Sequence, residues 1–424
     1  MTVDVSEARF SLRSGSTWAD PYPMYAALRR HCPVHHVEPD KPGDSDEQFA
    51  DGDYWVLTRH ADVLAAANDA TTFSSAQGLT VAYGELDAIG MADHPPMVMQ
   101  DPPAHTAFRR LVSRGFTPRQ VIAIEPTVRE FVLDRLERLP SDGPADIVGE
   151  LFKPLPSMVV AHYLGVPEED WSRFDGWTEA VVGATSAAGG IAGAGSAAES
   201  AGAATMEMLG YFTELIEFRK RHPADDTVSA LVAAGLADDP GDPHGLLSIL
   251  AFTFTMVAGG NDTTTGMLGG SVALLHSFPD QRQRLVDDPE LIPGAVDELL
   301  RLTSPVQGLA RTTTRDVHYP DTPDGGATIP AGRKVLLCYG SANRDPSVYG
   351  PDADALDVTR GPRNILTFSH GNHHCLGAAA ARMQARVALT ELLARHPQFT
   401  VDIDGIRWAE GNYVRRPTYV GFHA

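Results

Sequence analysis

One long apolar segment constrains the fold of this chain more than any other feature. It runs from Leu246 to His276 and carries few charged side chains. A helix that is apolar on all sides is buried in the core of a large protein. The chain has 424 residues, of which 43% are hydrophobic, and this is enough to build such a core. The segment therefore predicts one long central helix with the rest of the fold packed around it.

The remaining sequence is mainly helical, with a little β-structure. Residues from about 104 to 218 follow a helical pattern, whereas "DYWVLTR" (Asp53–Arg59) alternates and is rich in aromatic and β-branched residues, as strands are. Short strands are also predicted around "ATIPAGRKVLLCYGS". We therefore expect a mainly α fold with a small β region (α+β). Residues 1–424 are expected to form a single domain, with a loosely ordered N-terminal segment over residues 1–20.

Two segments interrupt the regular pattern. "LDAIGMADHPPMVMQDPPAH" contains four prolines and is predicted to form a long loop. A loop of this length in a compact domain is usually functional. The second segment, Ser186–Ala204, consists of small residues, and the sequence leaves open whether it is a flexible linker or a mobile lid.

Charge and cysteine content exclude several classes of protein. The net charge is −21, from 55 acidic and 34 basic residues, whereas general nucleic-acid binding needs a basic surface. Three widely spaced cysteines do not form a disulfide framework and indicate a reduced, intracellular setting. No signal-peptide core is evident, and no stretch supplies the ~20 apolar residues of a membrane span. We expect a soluble, cytoplasmic protein that binds no nucleic acid and does not cross a membrane.

The central segment contains residues that disfavour a regular buried helix, within "TMVAGGNDTTTG". Gly259 and Gly260 each cost about 1 kcal/mol relative to alanine inside a helix. Asp262 lies in apolar surroundings, where an unpaired carboxylate is expensive, and Thr263 can bond back to the preceding turn. One interpretation is a pair of packing glycines beside a capped aspartate. The other is a groove where a ligand meets an acid and an alcohol that relay protons.

A second unusual stretch, "FSHGNHHCLG", places three imidazoles and a thiol around two glycines, just ahead of an alanine-rich helix. Structural zinc needs four ligands, typically in two separated pairs, and no second pair is evident. A nucleophilic cysteine needs a base and an oxyanion hole, whose geometry adjacency in sequence does not supply. Haem needs one axial thiolate, and a helix start stabilises a thiolate at Cys375. Gly371 and Gly377 would let the loop turn beneath a flat macrocycle, so the spacing favours haem.

Together these stretches resemble the cytochrome P-450 superfamily. "FSHGNHHCLG" is similar to its haem-binding signature, Phe-x-x-Gly-x-x-x-Cys-x-Gly, and "GGNDTT" resembles its oxygen-binding groove. "ELLR" resembles its Glu-x-x-Arg helix, and "DPPAHTAFRRLVSRGFTP" resembles its propionate-binding segment. The matches follow the family order from about Tyr54 to Phe399, and the likeness is strongest to actinobacterial, especially mycobacterial, members. Ser369 departs from the pattern, because bacterial members more often have glycine there.

The resemblance implies haem b, iron protoporphyrin IX, held between the central helix and the cysteine loop, with Cys375 as the axial thiolate and metal ligand. Gly259 and Gly260 would open the helix to dioxygen, Thr263 would hydrogen-bond oxygen, and Asp262 would help deliver protons. The other residues that the resemblance implies for haem binding are His105, Arg109, Arg311, Phe368 and His373.

The resemblance further implies a haem-thiolate monooxygenase with separate electron donors, because the chain leaves no room for a flavin domain. The expected donors are ferredoxin and ferredoxin reductase. An acidic ferredoxin would dock on the basic run formed by Arg109, Arg110, Arg114 and Arg119, although a solvated helix face explains that run nearly as well. A buried network of Glu298, Arg301 and Arg360 would fix the later meander.

Apolar residues at positions that line family pockets indicate a small apolar organic substrate. They include Met97, Met99, Phe252, Met256, Tyr413 and Val414, which are equally compatible with the core. The expected reaction is hydroxylation or oxidative dealkylation of a lipid, sterol-like or aromatic compound. Two alternatives remain open. One is a haem-binding gas or ligand sensor without turnover, and the other is a peroxide-driven peroxygenase, which the acid–alcohol pair disfavours.

Overall fold

Helices dominate the fold, as predicted. The structure is a computed structural model that describes residues 9–38, 52–88, 90–140, 143–171, 173–174, 176–177, 196–236, 243–323 and 325–424. The α-helices in these ranges include α1 (Tyr22–His31), α2 (His60–Asn68), α3 (Glu85–Ala88), α4 (Ala104–Val112), α5 (Pro118–Glu137), α6 (Pro154–Leu164), α7 (Ser196–Arg221), α8 (Thr227–Ala233), α9 (Pro243–Ser277), α10 (Pro279–Asp287), α11 (Ile292–Thr303), α12 (Tyr339–Ala342), α13 (Pro346–Tyr349) and α14 (Ala378–Arg395).

Short strands make up the small β region. They are β1 (Val34–Val37), β2 (Tyr54–Leu57), β3 (Phe73–Ser74), β4 (Ala145–Asp146), β5 (Leu309–Thr313), β6 (Val317–Tyr319), β7 (Ala327–Ile329), β8 (Lys334–Leu337), β9 (Thr400–Val401), β10 (Arg407–Trp408), β11 (Pro417–Tyr419) and β12 (Gly421–His423). The strand predicted over Asp53–Arg59 is β2, shortened at both ends. The largest sheet has the order β1-β2-β8-β5-β3. Its β2–β8 pair is parallel and its other pairs are antiparallel.

The predicted central helix is α9, which extends a few residues beyond Leu246–His276 at its N-terminus. It packs against α6, α11 and α14, so that helices cover it on several sides. Its apolar side chains are therefore buried, as the all-round apolar pattern required. Those with almost no exposed surface include Ile249, Phe252, Val257, Leu268, Val272 and Leu275.

Residues 9–20 pack against the C-terminal part of the chain and do not form the loose segment that the sequence predicted. Phe10 and Trp18 are buried, and the Trp18 indole N–H donates a hydrogen bond to the Gly411 carbonyl at 2.8 Å. The polar composition of this stretch concealed two buried aromatic side chains, of which Phe10 packs against Tyr54 and Trp18 bonds to Gly411, almost 400 positions away. Residues 1–8 lie outside the described residues.

The two interruptions in the pattern have different outcomes. The proline-rich loop runs from α3 to α4 and contains one 3-10 turn, Met97–Met99. Of the small-residue segment, residues 186–195 lie outside the described ranges, and the remainder is the beginning of α7. In the described part of the chain, no helix has both the length and the apolar character needed to cross a membrane.

Candidate active site

The cysteine loop is shaped by its own backbone and by one obligatory glycine. The Cys375 N–H donates to the Phe368 carbonyl at 2.9 Å, which closes the loop ahead of α14. Gly371 has a φ of 62°, and a Cβ there would lie 2.7 Å from the Ala67 carbonyl oxygen. A side chain is therefore excluded at this turn. Gly377 has an ordinary φ of −85° and faces open space, so the backbone does not require glycine there.

The Cys375 side chain is exposed at the start of α14. Desolvation by the surrounding protein raises the pKa of its thiol, while the Gly377 N–H and the guanidiniums of Arg109 and Arg382 act in the opposite direction. Cations and a free N–H near the sulfur are the surroundings that favour a thiolate. Arg382 also lies 4.6 Å from the centre of the buried Phe368 ring.

Ser369 has a left-handed backbone with a φ of 55°. This conformation costs a non-glycine residue roughly 1–2 kcal/mol, which explains why glycine is frequent at this point of the family signature. Ser369 is buried, and its hydroxyl oxygen accepts a hydrogen bond from the Tyr339 hydroxyl at 3.1 Å. That bond offsets part of the backbone cost and ties the loop to α12.

Four of the predicted cofactor-binding side chains lie close together. The ring centroids of His105 and His373 are 4.3 Å apart. Desolvation lowers the pKa of His373 to about 3, and the positive charges of Arg311, His105 and Arg109 act in the same direction. Desolvation, followed by Arg109, also lowers the pKa of His105. Residues from α4, β5 and the cysteine loop thus form one cluster that is rich in positive charge.

No carboxylate forms an ion pair with this cluster within the described ranges. Arg311 is buried, and its Nη1 donates to its neighbour's carbonyl, that of Ala310, at 2.8 Å. Both ring nitrogens of buried His105 lack a hydrogen-bond partner among the described residues. Arg109 donates through Nη2 to the His374 carbonyl. Buried donors that the protein leaves unsatisfied indicate a polar or anionic ligand at this position.

The opening predicted at two glycines of α9 occurs at one of them. Gly259 is exposed, and a Cβ there would meet nothing within 4 Å. A Cβ at Gly260 would instead lie 2.6 Å from a methyl group of Val160 on α6, so Gly260 allows close helix packing. The Thr263 hydroxyl donates to the Gly259 carbonyl one turn earlier in the helix, at 2.9 Å.

Asp262 has a partner that the sequence did not reveal. Its Oδ2 lies 2.7 Å from Nε of Arg416, with side chains that are 14% and 13% exposed. The Nε–H is not aligned for a hydrogen bond. Desolvation raises the pKa of the Asp262 carboxyl, although Arg416 and Lys153 act to lower it. Arg416 is more than 150 positions away, so no spacing rule connects the two residues.

The predicted network around Glu298 is present and fully enclosed. Glu298 and Arg301 are both 0% exposed, and two guanidinium nitrogens of Arg301 lie 2.7 Å from the two carboxylate oxygens. Arg360 adds a third contact at 3.1 Å, and the Asp357 N–H adds a fourth at 3.3 Å. Arg301 also donates to the carbonyls of Asn343 and Ala353, so it fixes the meander to α11.

One apolar cluster connects the three parts of the candidate site. It contains Met97 of the proline-rich loop, Phe252 and Phe254 of α9, and Leu376, which follows Cys375. Met97 and Phe252 were both predicted to line the pocket or to belong to the core, and both are buried in this cluster. The loop, the central helix and the cysteine loop therefore meet through apolar contacts.

These residues fit a haem. Gly259 and Gly377 adjoin open space, and the thiol is accessible. In the cluster of His105, Arg109, Arg311 and His373, both ring nitrogens of His105 are unpaired among the described residues, while the two arginines bond there only to backbone carbonyls. Charge-assisted hydrogen bonds to carboxylates are the contacts that such donors form most strongly. Among the described residues, no group of three or more His, Cys, Asp or Glu side chains is arranged to hold a metal ion.

Comparisons with known proteins identify the family of the chain. The family profile described as Cytochrome P450 matches residues 194–405. Cytochrome P450 130 of Mycobacterium tuberculosis is 66% identical over 420 residues, which cover 99% of each chain. The vitamin D(3) 25-hydroxylase of Pseudonocardia autotrophica is 36% identical over 407 residues, covering 95% of this chain and 94% of the relative.

A solved structure extends the likeness to the fold. The Mycobacterium marinum cytochrome P450 CYP268A2, in complex with pseudoionone, superimposes with a TM-score of 0.81 at 28% identity and covers 96% of both chains. High identity over nearly the whole length, a matching profile and a shared fold all indicate one family. The chain therefore belongs to the cytochrome P450 family of haem-thiolate monooxygenases, which hold protoporphyrin IX haem through a cysteine thiolate.

Proposed function

We propose that this monooxygenase inserts one oxygen atom from dioxygen into an apolar organic substrate, with Cys375 as the axial ligand of its haem. The observation that carries the proposal is an accessible Cys375 thiol near a cluster of His105, Arg109 and Arg311, in which, within the described ranges, both His105 ring nitrogens are unpaired and the two arginines bond only to backbone carbonyls. When bound, haem activates dioxygen so that one atom enters the substrate and the other leaves as water, with two electrons and two protons consumed.

The cluster of donors would orient the cofactor. Arg109, Arg311 and His373 would hold the two propionates, and the unsatisfied ring of His105 would complete that set. Phe368 would pack beneath the ring beside the sulfur. Gly259 would leave room above it, whereas Gly260 would act through packing of α9 on α6. Gly260 would therefore affect the cofactor only indirectly, through the position of the helix.

Two side chains on α9 would supply protons. The Thr263 hydroxyl donates to the Gly259 carbonyl, so its oxygen can still accept a hydrogen bond. Rotation of the side chain would turn the hydroxyl towards the substrate side. Asp262 would take protons from solvent and pass them to the reacting oxygen. Its partial burial, and the desolvation that raises its pKa, suit a group that must both accept and release a proton.

An apolar substrate, such as a lipid, sterol-like or aromatic compound, is supported by the cluster that joins Met97, Phe252 and Leu376. One similar protein is named as a vitamin D(3) 25-hydroxylase, and another was solved in complex with pseudoionone. Hydroxylation and oxidative dealkylation are the reactions proposed. A screen of lipids, sterols and aromatics for compounds that change the haem absorption spectrum would test this substrate class, and a response limited to polar compounds would contradict it.

Bacterial members of the family take electrons from redox partners, and ferredoxin with its reductase is proposed here. Arg110, Arg114 and Arg119 are exposed and form no ion pair in the described part of the chain, although the protein is strongly acidic. An acidic ferredoxin would be steered to this face. Its reduction of the protein should slow with added salt, since exposed charges are screened over ~10 Å at 0.1 M, and indifference to salt would exclude the face.

We also propose that residues 1–424 act as a single catalytic domain in the cytoplasm. Solved structures that align over 96–98% of the chain support one domain. Three free cysteines, Cys32, Cys338 and Cys375, support a reduced compartment.

The decisive experiment is the spectrum of reduced protein with carbon monoxide. Wild-type protein should show the red-shifted band that a cysteine thiolate ligand produces. Cys375→Ala should abolish that band, whereas Cys32→Ala, at a part-buried cysteine outside the site, should retain it. A band that persists in Cys375→Ala would overturn the ligand assignment. Normal spectra with no oxidation of any substrate, and no effect of Thr263→Ala on reoxidation, would favour a ligand sensor.

A further inference from the structure

We propose that His94 and His244 form a site for a divalent transition-metal ion such as Zn²⁺, and that the bound ion clamps the proline-rich loop to the start of α9. His94 lies in that loop, and His244 is the second residue of α9. The proposal goes beyond the proposed function, because the ion would lie at the protein surface and would take no part in the haem chemistry.

The two imidazoles meet at a separation that suits a shared metal ion. The Nδ1 atoms of His94 and His244 are 3.3 Å apart, and their ring centroids are 4.6 Å apart at an interplanar angle of 60°. Zinc binds imidazole nitrogens at about 2.0–2.1 Å in tetrahedral geometry, so two nitrogens on one ion lie about 3.3–3.4 Å apart. The distance between the two Nδ1 atoms therefore matches that of two ligands of one zinc ion.

The ion would replace the hydrogen bond that now joins the two rings. A neutral imidazole carries a proton on one nitrogen and a lone pair on the other, so one Nδ1 donates to its counterpart. When both neutral rings carry their protons on Nε2, both Nδ1 lone pairs can bind one ion, and no proton is released. His94 is half-buried and His244 is exposed, so solvent can reach both rings and water can complete the coordination.

His94 is held in place by the packing of its own loop. Pro95 and Pro96 follow it directly, and the Pro95 carbonyl accepts a hydrogen bond from Nε2 of Gln100 at 2.6 Å. Proline fixes its own φ and restricts the residue before it. Met97, in the 3-10 turn that comes next, is buried in the apolar cluster that joins the loop to α9. The imidazole of His94 therefore needs only side-chain rotation to reach the ion.

His244 is held in place by a close approach of two backbones. A Cβ at Gly245 would overlap the Leu236 carbonyl oxygen, so a side chain is excluded beside His244. The Ser248 hydroxyl donates to the His244 carbonyl at 2.8 Å, and Ile249 is buried in the same apolar cluster as the loop. The loop and the start of α9 thus meet through one cluster, with the two histidines at the surface beside it.

The charge of the surroundings favours a cation. Asp93 directly precedes His94 and is exposed, and the protein carries a net charge of −21. Such a protein attracts cations from solution. Imidazole nitrogen suits zinc, copper and nickel, whereas magnesium and calcium prefer oxygen ligands. The site is therefore expected to bind the first group of ions and to reject the second.

A bound ion would change how readily the loop opens. The ion binds well only when both imidazoles are in place, so it stabilises the conformation in which the loop lies on α9. Separation of the loop from the helix would require one nitrogen–metal bond to break. We therefore expect the ion to slow local opening of the loop and to leave the rest of the fold unchanged.

The first test measures zinc binding to haem-loaded protein that has been stripped of free metal ions with a chelator. Calorimetric titration of wild type with zinc chloride should show a site that His94→Ala and His244→Ala each weaken by about tenfold or more, since even indirect partners of a metal affect affinity to that extent. His222→Ala is the matched control, because His222 is exposed and stacks on Phe218, away from the pair. The control should bind zinc like wild type, and magnesium chloride should not bind at the site.

The second test measures hydrogen exchange of the loop amides over residues 91–100. Exchange reports local opening of a segment. Zinc chloride should slow this exchange several-fold in wild type and in His222→Ala. It should leave the exchange unchanged in His94→Ala and His244→Ala, since neither variant can hold the loop and α9 through one ion.

Two outcomes would overturn the proposal. One is zinc binding of equal strength in wild type and in both alanine variants, and the other is binding through the two histidines that leaves loop exchange unchanged. If one alanine variant does not fold, the other variant decides. The carbon monoxide spectrum of each sample reports separately on Cys375, so failure of the metal site is distinguishable from failure of the proposed function.

Discussion

The carboxylates of Glu298 and Asp262 both face arginines inside the fold, and they are held in opposite ways. Glu298 has no exposed surface and receives four contacts, two from Arg301, one from Arg360 and one from a backbone N–H. Asp262 is 14% exposed and has one short contact with Arg416, with no aligned hydrogen bond. The contacts of Glu298 allow its carboxylate a single position, whereas the single contact of Asp262 allows its carboxylate several.

The difference distinguishes a charge that stabilises the fold from one that is proposed to transfer protons. A buried charge with all its lone pairs satisfied is costly to disturb, because each partner would be left unpaired. A charge with one imperfect partner can exchange that partner for water or for a proton. Variants of Glu298 should therefore change mainly the stability of the fold and affect the cofactor chemistry little. Variants of Asp262 should affect mainly the cofactor chemistry and change stability little.

The largest effect is expected for Glu298→Gln. The substitution keeps the size of the side chain but leaves Arg301 and Arg360 without their common anion in the interior. Breaking a buried pair in this way costs about 3–5 kcal/mol. The urea midpoint should fall accordingly, and haem should be lost more readily during dilution. Asp134→Asn is the matched control, since the Asp134–Arg138 pair is about half exposed and such pairs contribute less than ~1 kcal/mol.

A smaller loss is expected for Arg360→Gln. Glu298 would keep its two contacts with Arg301, but the Arg360 hydrogen bonds to Glu298 and to the Tyr349 carbonyl would disappear. Because Arg360 is not completely enclosed and Glu298 stays paired with Arg301, we expect a total decrease of about 1.5–3 kcal/mol, the range of one hydrogen bond to a charged group. A urea midpoint equal to that of Glu298→Gln would show that Glu298 depends on Arg360 as much as on Arg301.

The smallest change in stability is expected for Asp262→Asn. Desolvation raises the pKa of this carboxyl, so its ionised form is the one the fold disfavours. Removing the charge should cost less stability than it does at Glu298, because the desolvation cost of the carboxylate disappears together with its single contact to Arg416. The difference should move in favour of the variant as pH rises above the ordinary carboxyl pKa, since wild type then loses its bound proton. The amount of product formed per reduced nicotinamide consumed should fall clearly. A decrease in the urea midpoint as large as that of Glu298→Gln would contradict the expected difference between the two carboxylates.

The sequence predicted the features whose signals are local. The all-round apolar pattern of α9, the three-residue spacing of Glu298 and Arg301, and the glycine at 371 each follow from rules that act within a few positions. The resemblance to the family also predicted that His105 and His373 lie at the same site, which their spacing in the sequence does not indicate. These predictions agree with the positions of the residues in the fold.

The features that escaped prediction are contacts between distant positions. Arg416 reaches Asp262 because Gly266 and Gly269 of α9 let residues 415–417 lie directly against the helix. No local sequence pattern predicts such a contact. The two glycines at 259 and 260 looked equivalent, yet their directions around the helix axis give one open space and the other a methyl group of Val160. Packing partners of this kind are fixed by tertiary structure, which a periodic pattern does not encode.

The bond between Ser369 and Tyr339 makes these two positions interdependent in evolution. Ser369→Gly relaxes the backbone but leaves a buried tyrosine hydroxyl unpaired, while Tyr339→Phe leaves the strained serine without its partner. Each single step loses stability that the double replacement recovers. A lineage passing between the two states crosses a less stable intermediate, and a chimera with another family member should inherit both positions from the same parent.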